Sequence, residues 1–120
     1  MDERIEKAFE VANYMATLSN QRRIILEEYK QKLIFYINGA TFIVSPELIT
    51  FTKTLIDLGY DKNASFVDSK NLPVLIEDVQ DFHDTIVLIY FQALNEYSVK
   101  YADISNKRNV QDIVKLWKVL

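Results

Sequence analysis

The residues best suited to chemistry in this 120-residue chain lie close together, between positions 78 and 84. Asp78, Asp81 and Asp84 recur at every third position, and the only histidine, His83, stands among them. Three carboxylates and one imidazole can ligate a divalent metal. Acidic residues are also typical of a helix start, where the helix carries a partial positive charge. We favour the helix start and expect no metal site; these four residues are the candidate ligands if a metal binds.

Other catalytic residues and motifs are scarce. The chain has no cysteine and one histidine, and its two glycines form no phosphate-binding loop. Neither a G-x-S-x-G nor a G-x-x-x-x-G-K-[ST] motif occurs. The sequence therefore predicts a protein that is not an enzyme, with no catalytic residues and no cofactor.

Aromatic residues are unusually abundant, with seven tyrosines, seven phenylalanines and one tryptophan. Tyrosine is enriched at protein interfaces because it combines apolar area with a hydrogen-bonding tip. The alternative is ordinary half-buried tyrosine at the edge of the core. The basic pair of the first helix can contact phosphates or form salt bridges, inside the chain or with a partner. The candidate partner-binding residues are Arg22, Arg23, Tyr29, Tyr97, Tyr101 and Trp117.

Charge and hydropathy limit the classes of partner. The net charge is −3, whereas a nucleic-acid coat needs a basic surface, so we expect no nucleic-acid partner. The charged start Met1–Arg4 does not resemble a signal peptide. The longest uncharged apolar run, Ile86–Phe91, is far shorter than the roughly 20 residues of a spanning helix. The expectation is a cytoplasmic protein without membrane contact.

The first segment has the periodicity of one long helix over residues 2–31. Its apolar stripe is Ile5, Phe9, Ala12 and Met15, widened by Ala8 and Val11, and it resumes after a polar patch with Ile25, Leu26 and Tyr29. Its seam is roughly heptad-like, which suits packing against another helix.

Asn38-Gly39 then predicts a hairpin between residues 32–37 and 40–44, because a type I′ turn needs positive φ at both central residues. Ile34 would face Ile43, and Phe35 would face Phe42. Both faces of this hairpin are apolar, so both should be covered. The competing interpretation extends the first helix to Tyr36, with Gly39 as its C-cap.

The later elements follow from their caps and turns. Ser45 and Pro46 open a helix that Gly59 ends. A second hairpin joins residues 65–67 to 74–76, and a long helix starts after Asp78. A short last helix carries Trp117. We expect one domain over residues 1–120 with an α+β fold, in which two long helices pack with one antiparallel sheet of short hairpin strands.

Several segments resemble one family in sequence style and order. They are Ala12–Leu18, Gln21–Arg23, Glu27–Tyr29, Tyr36–Phe42 and Pro46–Ile49, followed by the long helix. Together they resemble small proteins of T4-like bacteriophages of marine cyanobacteria, a family without assigned catalytic residues. The resemblance covers most of the chain and implies a virion part, an assembly factor or a modulator of host machinery, in the host cytoplasm or the virion.

These observations predict a non-enzymatic phage accessory or virion and assembly protein that acts through protein–protein contacts. Its partners would be further copies of itself, as a dimer or higher homo-oligomer, or phage or host proteins. The first alternative is a small regulator that binds host polymerase or nucleic acid. The second is a metal-dependent enzyme centred on Asp78, Asp81, His83 and Asp84.

Overall fold

The computed structural model describes residues 2–107, which form three helices and two hairpins. The elements are α1 (Glu3–Lys32), β1 (Ile34–Ile37), β2 (Ala40–Ile43), α2 (Pro46–Asp57), β3 (Lys62–Val67), β4 (Pro73–Asp78) and α3 (Val79–Lys107). This arrangement confirms the α+β class. The predicted short last helix, with Trp117, lies outside the described residues.

The first hairpin forms around Asn38-Gly39 as predicted. Asn38 has a φ of 53° and Gly39 a φ of 75°, the positive values that the turn requires. Ile34 pairs with Ile43 and Phe35 with Phe42. Helix α1 ends at Lys32, so the alternative extension to Tyr36 is wrong.

The second hairpin is longer than predicted, with β3 and β4 each six residues long. It stays a separate two-stranded sheet, so the expected single sheet of four strands does not form among the described residues. The outer edge of β2 is occupied instead by a loop, because Ser69 donates its backbone N–H and its Oγ to the carbonyl of Thr41, both at 2.8 Å.

Capping side chains set the ends of α2 and the start of α3. Ser45 Oγ accepts the N–H of Leu48 at 3.1 Å, and Pro46 occupies the first helical position. Gly59, with a φ of 86°, lies just after α2. Asp78 Oδ1 accepts the N–H of Asp81 at 3.0 Å at the start of α3. These caps agree with the sequence analysis.

Contacts divide the chain into two compact units. Unit 1 contains Met1–Glu28 and the chain from Glu96 onward, and unit 2 is Tyr29–Asn95. The expectation of one domain over residues 1–120 stays a prediction. No helix within residues 2–107 is both long and apolar enough to cross a membrane.

The core of unit 2 is built around one phenylalanine. Phe82 is 2% exposed, and its ring centroid lies 5.2 Å from that of Phe42, 5.3 Å from that of Phe66 and 6.1 Å from that of Phe35. Both hairpins thereby pack their inner faces against the first turns of α3. Such aromatic pairs add about 0.5–1.5 kcal/mol each beyond their buried area.

In unit 1 the buried side of α1 is Val11, Leu18 and Ile25, at seven-residue intervals. The predicted stripe is confirmed in part, since Val11 and Ile25 are buried, whereas Phe9 is 57% exposed and Ile5 is also exposed. The prediction took in these exposed residues and left out Leu18, because α1 carries apolar residues in two directions and periodicity does not say which is covered.

The central position of Phe82 predicts a large loss of stability on truncation. Phe82→Ala should lower the free energy of unfolding by about 3–5 kcal/mol, because it removes buried area and leaves a cavity between both hairpins and α3. Phe91→Ala on the same helix is the matched control, since Phe91 is 50% exposed. Urea denaturation measures both; equal losses would contradict the assigned core.

Candidate partner-binding surface

The four candidate metal ligands do not converge. Asp78 Oδ1 caps α3, and its Oδ2 lies 3.5 Å from Lys62 Nζ. Asp84 Oδ1 accepts from Gln80 Nε2 at 2.9 Å, and His83 bonds to Thr52. Within residues 2–107 no group of three acidic or histidine side chains is arranged to hold a metal ion. These residues stabilise helices and join elements.

His83 belongs to a bond network that the sequence analysis missed. Thr52 is completely buried on α2; its Oγ1 donates to the carbonyl of Ile49 at 2.9 Å and lies 2.6 Å from His83 Nδ1. A hydroxyl has one proton, so Thr52 accepts from Nδ1–H while it donates to Ile49. These two bonds place a proton on His83 Nδ1. The sequence signal that could have revealed this network was Thr52 itself, a polar residue on the apolar side of α2.

A second missed residue, Asp68, holds the loop between β3 and β4. It is only 5% exposed, and its carboxylate accepts three backbone N–H groups. They belong to Leu72 at 2.8 Å, Lys70 at 2.9 Å and Thr41 at 3.2 Å. Led by the bond from Leu72, these amides hold the pKa of Asp68 below its usual range, although burial opposes them. The turn-rich sequence predicted a loop here, but it did not predict that the Asp68 carboxylate would bond to β2.

Three of the predicted partner-binding residues meet in unit 1. The guanidinium of Arg22 lies 5.5 Å from the ring centroid of Tyr101, a cation–π contact. The rings of Tyr97 and Tyr101 meet edge to face at 6.2 Å. Arg23 donates to Asn20 Oδ1 at 2.6 Å.

An ion-pair network lies in the same unit. Lys100 Nζ is 2.8 Å from Glu28 Oε2 and 3.1 Å from Glu96 Oε1. The hydrogen bonds that Lys100 donates to Glu28 and then to Glu96 raise the pKa of Lys100. These contacts join α1 to α3 within unit 1.

The two remaining predicted residues are Tyr29 and Trp117. Tyr29 is half-buried and packs against the core of unit 2. Trp117 lies outside the described residues.

The outer face of the first hairpin is open, which corrects the expectation that both faces are covered. Leu33, Phe42 and Val44 are buried on the inner face. On the other face, Tyr36 is 72% exposed and Ile43 is 58% exposed. We call Ile34, Tyr36 and Ile43 the outer hairpin face. A sheet normally hides an apolar face against another layer, so this face is a candidate contact surface.

A groove of about 560 Å³ lies along β4 in unit 2. Its walls are β4, the turn residues Ile37 and Asn38, and Asp81 and Phe82 of α3. Glu77, Asp78 and Asp81 make its lining acidic. The Asp81 N–H, and then Lys62, hold the pKa of Asp78 below its usual range despite its desolvation. The groove combines an apolar floor with carboxylates.

No protein-family model, no curated protein and no solved structure matches this chain.

The Thr52–His83 bond can be tested by removing one hydroxyl. Thr52→Val keeps the side-chain shape but leaves Nδ1–H without its acceptor, so the free energy of unfolding should fall by about 1–3 kcal/mol. Thr54→Val is the control, because Thr54 is exposed on α2 and its hydroxyl bonds only to Thr50 O. Urea denaturation gives the stabilities, and ¹⁵N NMR reads the His83 tautomer. A tautomer other than Nδ1–H would contradict the assignment.

The bonds to Asp68 predict an acid-sensitive contribution to stability. The folded-state pKa lies below the unfolded value of about 3.9, so this contribution is present above that value and is lost as pH falls through the folded pKa. Asp68→Asn should therefore be less stable than the parent chain at neutral pH, and the difference should shrink on acidification. Denaturation over this pH range tests it, with Asp57→Asn as an exposed control; a difference independent of pH would contradict the prediction.

Proposed function

We propose that this protein is non-enzymatic and acts through protein–protein contacts, as a homo-oligomer, in a phage accessory, virion or assembly role. The observation that carries the proposal is the outer hairpin face. Its side chains belong to strands whose register and inner-face packing are fixed, so the exposed face is presented by an ordered element. Covering such a face removes apolar area from water, at about 25 cal/mol per Å².

The roles of the polar side chains support a protein of this class. Asp78 caps a helix, His83 bonds to a buried threonine, and Asp68 organises a loop. Each of these groups has a structural partner. Exposed apolar and aromatic side chains, as on the outer hairpin face, are therefore available for contact with another protein.

The phage setting comes from the resemblance of the sequence to small proteins of T4-like phages. It adds a context in which a small chain contacts copies of itself, other phage proteins or host machinery. The host cytoplasm and the virion are the two locations that this proposal includes.

Light scattering tests the self-association directly. The parent chain at high concentration should show at least twice its 14.1 kDa mass, because the outer hairpin face is covered by another copy. The double variant Tyr36→Thr/Ile43→Thr should return to the mass of one chain, since it keeps residues with strand propensity but removes apolar area.

Val67→Thr is the matched control, because Val67 is equally exposed on the other hairpin. It should keep the mass of the parent chain. A parent chain that stays at 14.1 kDa at every concentration would reject the homo-oligomer.

A further inference from the structure

We propose that the groove along β4 binds a basic segment of a partner protein, which inserts an arginine or lysine side chain. This inference rests on the proposed function, because it names a second contact surface and its partner chemistry. It uses none of the residues of the outer hairpin face.

The groove has the shape and floor that a long basic side chain needs. Phe82 and Ile76 are buried beneath it, and Ile37 is half-buried at its side. Arginine and lysine lay their aliphatic stems along apolar surface while the charged end stays near water. The volume of about 560 Å³ is larger than one such side chain requires, so adjacent partner residues also fit.

The negative charge of the groove favours a positively charged side chain. Asp78 shares its carboxylate with Lys62, whereas the carboxylates of Glu77 and Asp81 have no ion-pair partner within residues 2–107. Asp81 lies in the first turn of α3, whose N-terminus carries about half a positive charge, which the carboxylates of Glu77 and Asp81 outweigh. An arginine or lysine side chain supplies the opposite charge and directs the approach of its segment.

The outer edge of β4 adds one backbone donor. The Asp68 N–H bonds to the Leu72 carbonyl, so the alternation of an antiparallel ladder turns the N–H and C=O of Leu75 away from β3. Asn38 Nδ2 reaches that carbonyl at 3.4 Å, which leaves the Leu75 N–H for a partner carbonyl.

The same edge cannot pair with a long added strand. Pro73 has no N–H to offer, and the Leu75 carbonyl already has a contact with Asn38. The partner segment is therefore held mainly by its basic side chains and by one backbone bond. Its affinity should depend strongly on salt, because the charged groups lie at the surface.

The binding experiment uses the full chain and a fluorescein-labelled octapeptide of alternating threonine and arginine. Fluorescence anisotropy at low salt should show saturable binding. The double variant Glu77→Gln/Asp81→Asn should weaken binding about tenfold, because two carboxylates lose their charge. In ¹⁵N NMR spectra the Leu75 amide should shift on addition of the peptide.

The control variant is Glu27→Gln/Glu47→Gln. It changes the net charge by the same amount, and it pairs one exposed glutamate with one acid in the first turn of a helix, as the groove variant does. It should bind like the parent chain. Equal weakening in both variants would show attraction by net charge alone and would overturn the site, as would no binding by the parent chain.

Failure of this inference is distinguishable from failure of the proposed function. The mass measured by light scattering depends on the outer hairpin face, whereas peptide binding depends on Glu77 and Asp81. A chain that self-associates but does not bind the peptide loses only the groove. If the chain binds the peptide while light scattering gives the mass of one chain, the groove is supported and self-association is rejected.

Discussion

The carboxylate of Asp68 connects the two hairpins of unit 2. A charged group in a site with little solvent is costly unless its hydrogen bonds are made, and Asp68 meets that cost with three backbone amides. Two of them fold its own loop, and the third belongs to Thr41 on β2. Because Ser69 follows directly and donates to the Thr41 carbonyl, both backbone groups of Thr41 are satisfied by one loop. The positions of β4 and the groove follow from this connection.

The hairpins show a consistent division between edges and faces. Their inner faces form the core around Phe82. Their edges are obstructed locally, by the Asp68–Ser69 loop at Thr41, by Pro73, and by Asn38 at the Leu75 carbonyl. Such obstruction limits pairing with foreign strands. The outer hairpin face and the groove stay accessible and present side chains, so the contacts that we propose there depend on apolar area and charge.

Local signals in the sequence were sufficient for most of the elements. Asn38-Gly39 identified the first turn and register, and Ser45, Gly59 and Asp78 marked helix ends, because each acts on its immediate neighbours.

Contacts between distant residues were not predictable in the same way. Asp68 bonds to Thr41 across 27 positions, and nothing in either residue type specifies that pairing. The buried side of α1 was predicted only in part, since apolar residues lie in two directions on that helix. The open outer hairpin face was missed because apolar pattern predicts burial and does not reveal whether a covering layer exists.

The separation of the strands into two hairpins also bears on the order of folding. Each strand pairs with its sequence neighbour, so no strand has to find a distant strand before its ladder forms. Loop-closure entropy grows with the length of chain enclosed, and short hairpins form in about 1–10 μs. The link from Asp68 to Thr41 encloses a longer stretch and gains its partners only after both turns exist. We therefore expect the unit to assemble in two fast local steps followed by one docking step, without the slow search typical of sheets with remote strand partners.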